Sequence, residues 1–143
     1  MDEKKKILFI CKYNSVRSQI AEGYMKAHYG NQYEVFSGGI EATQVNPLAI
    51  EVMKEIGIDI SGYRSKLVDE FFGKQFDIVV TVCDEAAKVC PFFPGTQEII
   101  NQEFTDPSVY QGSRDDILAG FRRIRDQIIQ WIDLNFGKKS GLY

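Results

Sequence analysis

Ile7-Leu8-Phe9-Ile10-Cys11 is an apolar run without a polar break. A strand with one wet face alternates apolar and polar residues, whereas a continuous run is covered on both faces, as in a parallel sheet. With Lys6 at its start, the run reads as the strand Lys6–Cys11. Phe76-Asp77-Ile78-Val79-Val80-Thr81-Val82-Cys83 reads the same way. Tyr33 to Ser37, closed by Gly38-Gly39, and the weaker Glu98 to Phe104 give two more strands. Between them the apolar period becomes helical. Val16, Ile20, Tyr24 and Ala27 mark one stripe. Asn46-Pro47 opens a second helix as N-cap and first residue, with Ala49, Val52, Met53 and Ile56 on its apolar face and Gly57 at its end. Ser65 to Phe72 reads as a short helix. Ile117, Phe121, Ile124, Ile128 and Trp131/Ile132 make a long amphipathic one. Strands alternating with helices predict an α/β fold. The expected form is a doubly wound, four-stranded parallel sheet with helices on both faces and right-handed crossovers. No repeat or linker divides the 143 residues, so one domain, 1–143, is expected.

In such folds ligands bind beyond the carboxyl ends of the strands. Cys11, Cys83 and Asp106 all fall at or just after a strand end. The richest segment is Cys11-Lys12-Tyr13-Asn14-Ser15-Val16-Arg17-Ser18. A short loop from a strand end into a helix can turn successive N–H groups inward, and with the helix dipole these bind a tetrahedral oxyanion. Arg17 adds a planar fork for two of its oxygens. The same field favours a thiolate, the nucleophilic form of cysteine, at Cys11. Ser18 can donate a hydrogen bond to that sulfur. Asp106-Pro107 alone is a turn signal, but beside a cysteine–anion site it supplies a candidate general acid. Cys83 and Cys90 would stand about 10.5 Å apart along a helix, and a disulfide needs Cα atoms within about 7 Å. They are therefore two isolated thiols, or a pair in a stretch that is looped or unwinds on oxidation.

Composition closes off other classes. Lys+Arg 17 against Asp+Glu 20 gives a net charge of −3, with no field for nucleic acid or an anionic membrane. The apolar run after the basic N-terminus is too short for a signal peptide or a membrane span, so a cytoplasmic protein is expected. Three cysteines, Cys11, Cys83 and Cys90, argue against a static disulfide framework. No close ligand pair exists for zinc, His28 is the single histidine and reads as a surface residue, and no metal is expected. The Gly137-Lys138-Lys139-Ser140 tail lacks the upstream glycine of a nucleotide loop and reads as solvated charge.

From Lys6 to about Phe136 the chain resembles the thioredoxin-coupled arsenate reductases of the low-molecular-weight tyrosine phosphatase fold. The resemblance rests on Cys11 to Ser18 continuing as Gln19-Ile20-Ala21-Glu22-Gly23, and on Ser37-Gly38-Gly39-Ile40-Glu41. It rests also on Val45 to Ile50, Ile58-Asp59-Ile60-Ser61, Thr81-Val82-Cys83, Cys90-Pro91 and Asp106-Pro107. It implies that Cys11 attacks arsenate held by Arg17 and the loop of Lys12, Tyr13, Asn14, Ser15, Val16, Arg17 and Ser18, while Asp106 protonates the departing oxygen. It implies further that Cys83 then attacks Cys11 and expels arsenite, and that Cys90 attacks Cys83 to leave a disulfide for thioredoxin. No cofactor and a monomer are expected. The alternative is a phosphatase hydrolysing phosphomonoesters through a Cys11 phosphocysteine; a non-catalytic oxyanion-binding module is the third reading. Phosphatases of this fold usually have Pro at the position of Gln19 and lack the Cys83/Cys90 spacing.

Two positions depart from the pattern. Tyr13 stands where relatives generally have Gly, which bears on loop geometry and access. Lys66 stands where potassium-binding members have an Asp that ligates the ion together with residues matching Asn14, Glu22 and Ser37. Either Lys66 points to solvent from its short helix, or its ammonium reaches those oxygens and pairs with Glu22. The expectation is a protein without a specific potassium site.

Overall fold

The computed structural model describes residues 4–90 and 93–137. Pro91 of the Cys90-Pro91 motif, and the tail Lys138-Lys139-Ser140, lie outside the described residues. The chain runs β1 (Lys5–Cys11), α1 (Arg17–Tyr29), β2 (Tyr33–Gly39), α2 (Pro47–Lys54), β3 (Ile78–Thr81), α3 (Asp84–Lys88), β4 (Glu98–Asn101) and α4 (Arg114–Phe136). All strand pairs are parallel, in the order β2-β1-β3-β4. The chain steps from β1 to one side for β2 and to the other for β3 and β4. The sheet therefore reverses its winding between β1 and β3, where a crevice opens above the strand ends.

β1 is the centre of the core. Ile7, Leu8, Phe9 and Ile10 are fully buried, so both faces of the strand are covered, as its unbroken apolar run requires. α1 packs on β2 and α4, and α2 packs on α4. The apolar stripe of α4 buries Phe121, Ile124, Ile128 and Ile132. Glu55, just beyond α2, ties the two helices together: its carboxylate accepts from Arg122 Nη2 at 2.7 Å and Arg125 Nη1 at 2.9 Å. No described helix is long and apolar enough to cross a membrane.

Several boundaries differ from the sequence reading. β3 spans Ile78–Thr81 rather than Phe76–Cys83; just before its start, Asp77 turns its carboxylate to accept Lys6 N–H at 2.8 Å, and past its end Cys83 caps the next helix. β4 covers Glu98–Asn101 and is largely exposed, an edge strand with one neighbour. α2 ends at Lys54, and Gly57 takes a positive φ of 82° after a non-helical turn, leaving Ile56 exposed. Ala27 is exposed too, because α1 is buried only from Arg17 to Met25. The expected helix from Ser65 to Phe72 is a single 3-10 turn at Val68–Phe71. Before it, Lys66 C=O accepts Gly39 N–H at 2.8 Å, and Leu67 forms a parallel bridge with Gly39. Residues 65–67 thus extend the β2 end instead of coiling.

Candidate active site

β1 delivers Cys11, 2% exposed, to the crevice, and the loop to α1 curls over it. The curl depends on Asn14, whose φ of 50° is the single positive value among described non-glycine residues. Asn tolerates this left-handed conformation better than most side chains. It turns Asn14 N–H toward Cys11 Sγ, at 3.2 Å. Tyr13 keeps a negative φ, so a side chain there strains nothing. Gly39 makes the curl possible from below: an added Cβ would lie 2.8 Å from Asn14 N and 2.9 Å from Tyr13 C, and against Glu41 O.

The Asn14 side chain orders the surrounding polar groups. Its Nδ2 donates to Ser18 Oγ at 2.7 Å and to Ser37 Oγ at 2.9 Å. With its oxygen accepting from Asn14, Ser18 has its own proton to direct at Cys11 Sγ, 2.9 Å away. Ser37 donates its hydroxyl hydrogen bond to Glu22 Oε1 at 2.5 Å. Two donors therefore converge on the Cys11 sulfur, which suits a thiolate. α1 begins at Arg17 without a side-chain cap, so its first N–H groups stay available to an anion.

Arg17, 7% exposed, is held from the far side of the crevice. Its Nη1 donates to Phe104 C=O at 3.1 Å, and its Nη2 lies 3.7 Å from Asp106 Oδ2. Asp106 follows β4 and caps the turn of Pro107–Val109 by accepting Ser108 N–H at 2.9 Å. Cys11, Arg17 and Asp106 line one cavity of about 180 Å³, with Tyr13, Ser15, Val16, Asn46 and Ser108. Asn46 and Ser108 were not singled out from sequence. Asn46 was visible there only as the cap of α2, which it is, accepting Leu48 N–H at 2.8 Å.

Cys83 lies just past β3, the strand paired with β1, and is 2% exposed. Burial raises its pKa above the ordinary cysteine value; the Ala86 N–H and the Arg17 charge act against that, and the nearby Cys11 adds to it. Its sulfur is the N-cap of α3, accepting Ala86 N–H at 3.4 Å. α3 has only five residues, and Val89 leaves the helical region with φ −119° and ψ 20°. Cys90 therefore lies beyond the helix, and the spacing of a continuous helix from Cys83 to Cys90 does not apply. Cys90 is half-buried, and burial raises its pKa as well.

Lys66 does not point to solvent. Its ammonium stands 3.3 Å from each of Asn14 Oδ1, Ser37 Oγ and Arg64 C=O, and 3.7 Å from Glu22 Oε1. Burial lowers its pKa, with Glu22 acting in the opposite direction. A potassium ion seated among these oxygens would meet that ammonium at contact distance, so the residues present do not fit the ion. Gln19, passed over in sequence except as a departure from Pro, ties the same region together. Its Nε2 lies 3.0 Å from Asn14 C=O and 2.9 Å from both Asn14 Oδ1 and Arg64 C=O. Its signal was a glutamine at a position that the fold buries completely. His28 is exposed, stacked 4.4 Å from Tyr24.

The family model for low molecular weight phosphotyrosine protein phosphatases matches residues 6–134. The chain belongs to that family. Within it, an arsenate reductase of Halalkalibacterium halodurans is 47% identical over 125 residues, 87% of this chain and 90% of its own. A solved arsenate reductase in its phosphate-binding state superposes with a TM-score of 0.81 at 33% identity, covering 94% of this chain and 98% of that one. A thioredoxin-dependent arsenate reductase of Corynebacterium glutamicum has a TM-score of 0.66 at 27% identity, covering 93% of this chain and 64% of that one. This family member thus resembles reductases across nearly its whole length.

Proposed function

We propose that the protein is an arsenate reductase that uses Cys11, Cys83 and Cys90 in turn and is regenerated by thioredoxin. The carrying observation is the placement of Cys11 and Cys83 at the ends of paired strands, β1 and β3, with the oxyanion cavity at Cys11. A phosphatase needs the first thiol alone; a two-electron reduction needs a second within reach of it.

Arsenate sits on the loop N–H groups and Arg17, and Cys11 thiolate displaces one oxygen, which leaves as water with the proton from Asp106. Cys83 thiolate then attacks Cys11 Sγ. The S–As bond breaks with its electron pair going to arsenic, so As(V) becomes As(III) and leaves as arsenite, with a Cys11–Cys83 disulfide behind. Cys90 attacks Cys83, frees Cys11 as thiolate and forms a Cys83–Cys90 disulfide. A thioredoxin dithiol, near −270 mV, returns two electrons if that disulfide is no more reducing. The thioredoxin dependence of the Corynebacterium glutamicum relative supports this partner. The working form is a monomer in a reducing, cytoplasmic compartment, where thiols persist.

Phosphate shares arsenate's shape and charge, so a residual phosphatase activity through a Cys11 phosphocysteine accompanies the reductase. The experiment is coupled turnover with arsenate, thioredoxin, thioredoxin reductase and NADPH, omitting each in turn. Arsenite should form catalytically in the complete mixture and not with Cys83→Ser. Undiminished multiple turnover by Cys83→Ser would refute the relay.

A further inference from the structure

Beside the anion cavity lies a larger groove of about 520 Å³. Tyr13, Arg17, Asp106 and Ser108 line both spaces and so form the neck between them. Arg17 and Asp106 are committed to the anion and its departing oxygen. Tyr13 carries the remaining large side chain among these four residues, and the chemistry proposed for Cys11 gives it no task. Lys12 Nζ lies 5.0 Å from the Tyr13 ring centroid, a cation–π distance. Ser65 Oγ donates to Tyr13 C=O at 2.7 Å, and Glu41 N–H donates to Lys12 C=O at 2.8 Å. The inner cavity of about 180 Å³ is smaller than the roughly 300–1,000 Å³ that encloses an organic ligand. It suits a bare tetrahedral oxyanion. An ester whose phosphate sits there must place its organic group outside the cavity, past lining residues that include Tyr13.

We propose that Tyr13 is a specificity-determining residue, whose ring at the neck of the anion cavity admits inorganic oxyanions and obstructs phosphomonoesters. It sets reduction above ester hydrolysis at a cysteine that could perform either first step, and so it rests on the nucleophilic role of Cys11. The outer groove adds a separate, charge-based bias. Asp84, Glu85 and Glu103 line it, which disfavours acidic phosphopeptides but not an ester with an uncharged aryl group. The test therefore uses p-nitrophenyl phosphate, which isolates the ring.

The quantity to measure is kcat/KM for p-nitrophenyl phosphate divided by kcat/KM for arsenate in the thioredoxin-coupled assay. Removing the ring in Tyr13→Ala should raise this ratio by about tenfold or more. Tyr13→Phe, which restores the ring, should bring it back toward wild type. Lys12→Gln, which releases the ring from its cation, should move it in the same direction as Tyr13→Ala, by less. If the alanine variant does not fold, Tyr13→Leu and Lys12→Gln decide the matter. A ratio that stays level overturns the proposal, and one that falls makes the ring a stacking platform instead. If the wild-type chain hydrolyses the aryl ester but reduces no arsenate, the reductase function fails separately. The ester kcat/KM alone must still rise in Tyr13→Ala.

Discussion

Removing the Lys66 ammonium, as in Lys66→Met, takes the cation from a cluster of oxygens directly behind the anion loop. Deleting one partner of a buried ion pair costs roughly 3–5 kcal/mol when the other charge is left alone. Glu22 is not left alone: Lys26 Nζ lies 2.6 Å from its Oε2, and Ser37 donates to its Oε1. Burial already lowers the Lys66 pKa despite Glu22, so the ammonium sits there at a desolvation cost that the variant relieves. The expected net loss is therefore about 1–2 kcal/mol, or roughly 3–8 °C in Tm for a chain of this size. Asn14 Oδ1 loses a donor at the same time, although Lys66 N–H and Gln19 still hold it. Arsenate KM should therefore rise more than kcat falls. The decisive assay is thermal unfolding and coupled turnover in matched potassium and sodium chloride. The wild type should respond identically to the two salts, because its cation is covalently attached. Lys66→Asp, which substitutes a carboxylate among the oxygens, should gain stability from potassium over sodium. A potassium-specific gain in the wild type, or an unchanged Tm in Lys66→Met, would refute the argument.

Cys90→Ser should release about one equivalent of arsenite and then stall as a Cys11–Cys83 disulfide; mass spectrometry after one equivalent of arsenate checks this, and sustained turnover would overturn the assigned order. Because burial raises the Cys83 pKa, the thiol is mostly protonated near neutrality, and deprotonation feeds the reactive form as pH rises. Arsenite release in a single turnover should therefore accelerate between about pH 7 and 9, and a flat rate across that range would show that Cys83 deprotonation does not limit it. Gly39→Ala should push the Asn14 and Tyr13 backbone, cost about 1–3 kcal/mol as overpacking and raise the inhibition constant of inorganic phosphate, readable by steady-state kinetics.

The core and the placement of Cys11 were legible because each rests on local pattern. The unbroken apolar run of β1 states that both faces are covered, and the polar segment after Cys11 states where the loop begins. Asp106 was legible as a turn residue that the chain brings to the same cavity, although β4 ends five residues earlier, at Asn101. What escaped were features decided by distant partners. Residues 65–67 carry no pattern that reveals pairing with Gly39, a contact settled by one backbone hydrogen bond across the fold. Ile56 and Ala27 fit a helical stripe in sequence, but α2 stops short of the first, and α1 is covered only on its first turns. Gln19 announces nothing locally; its role exists only once Asn14 and Arg64 are brought beside it.

The short helix after β3 is fastened at its start by the atom that the proposed relay oxidises. A thiol sulfur at Cys83 accepts Ala86 N–H, and a helix of five residues has few other bonds to spare. Once that sulfur is bonded to another, it is a poorer acceptor, and the segment leading to Cys90 loses its anchor in the same event that creates the need for Cys90. Under the proposed relay the reaction would act as its own latch: closed while there is a substrate to reduce, and released when there is an oxidised bond to hand on.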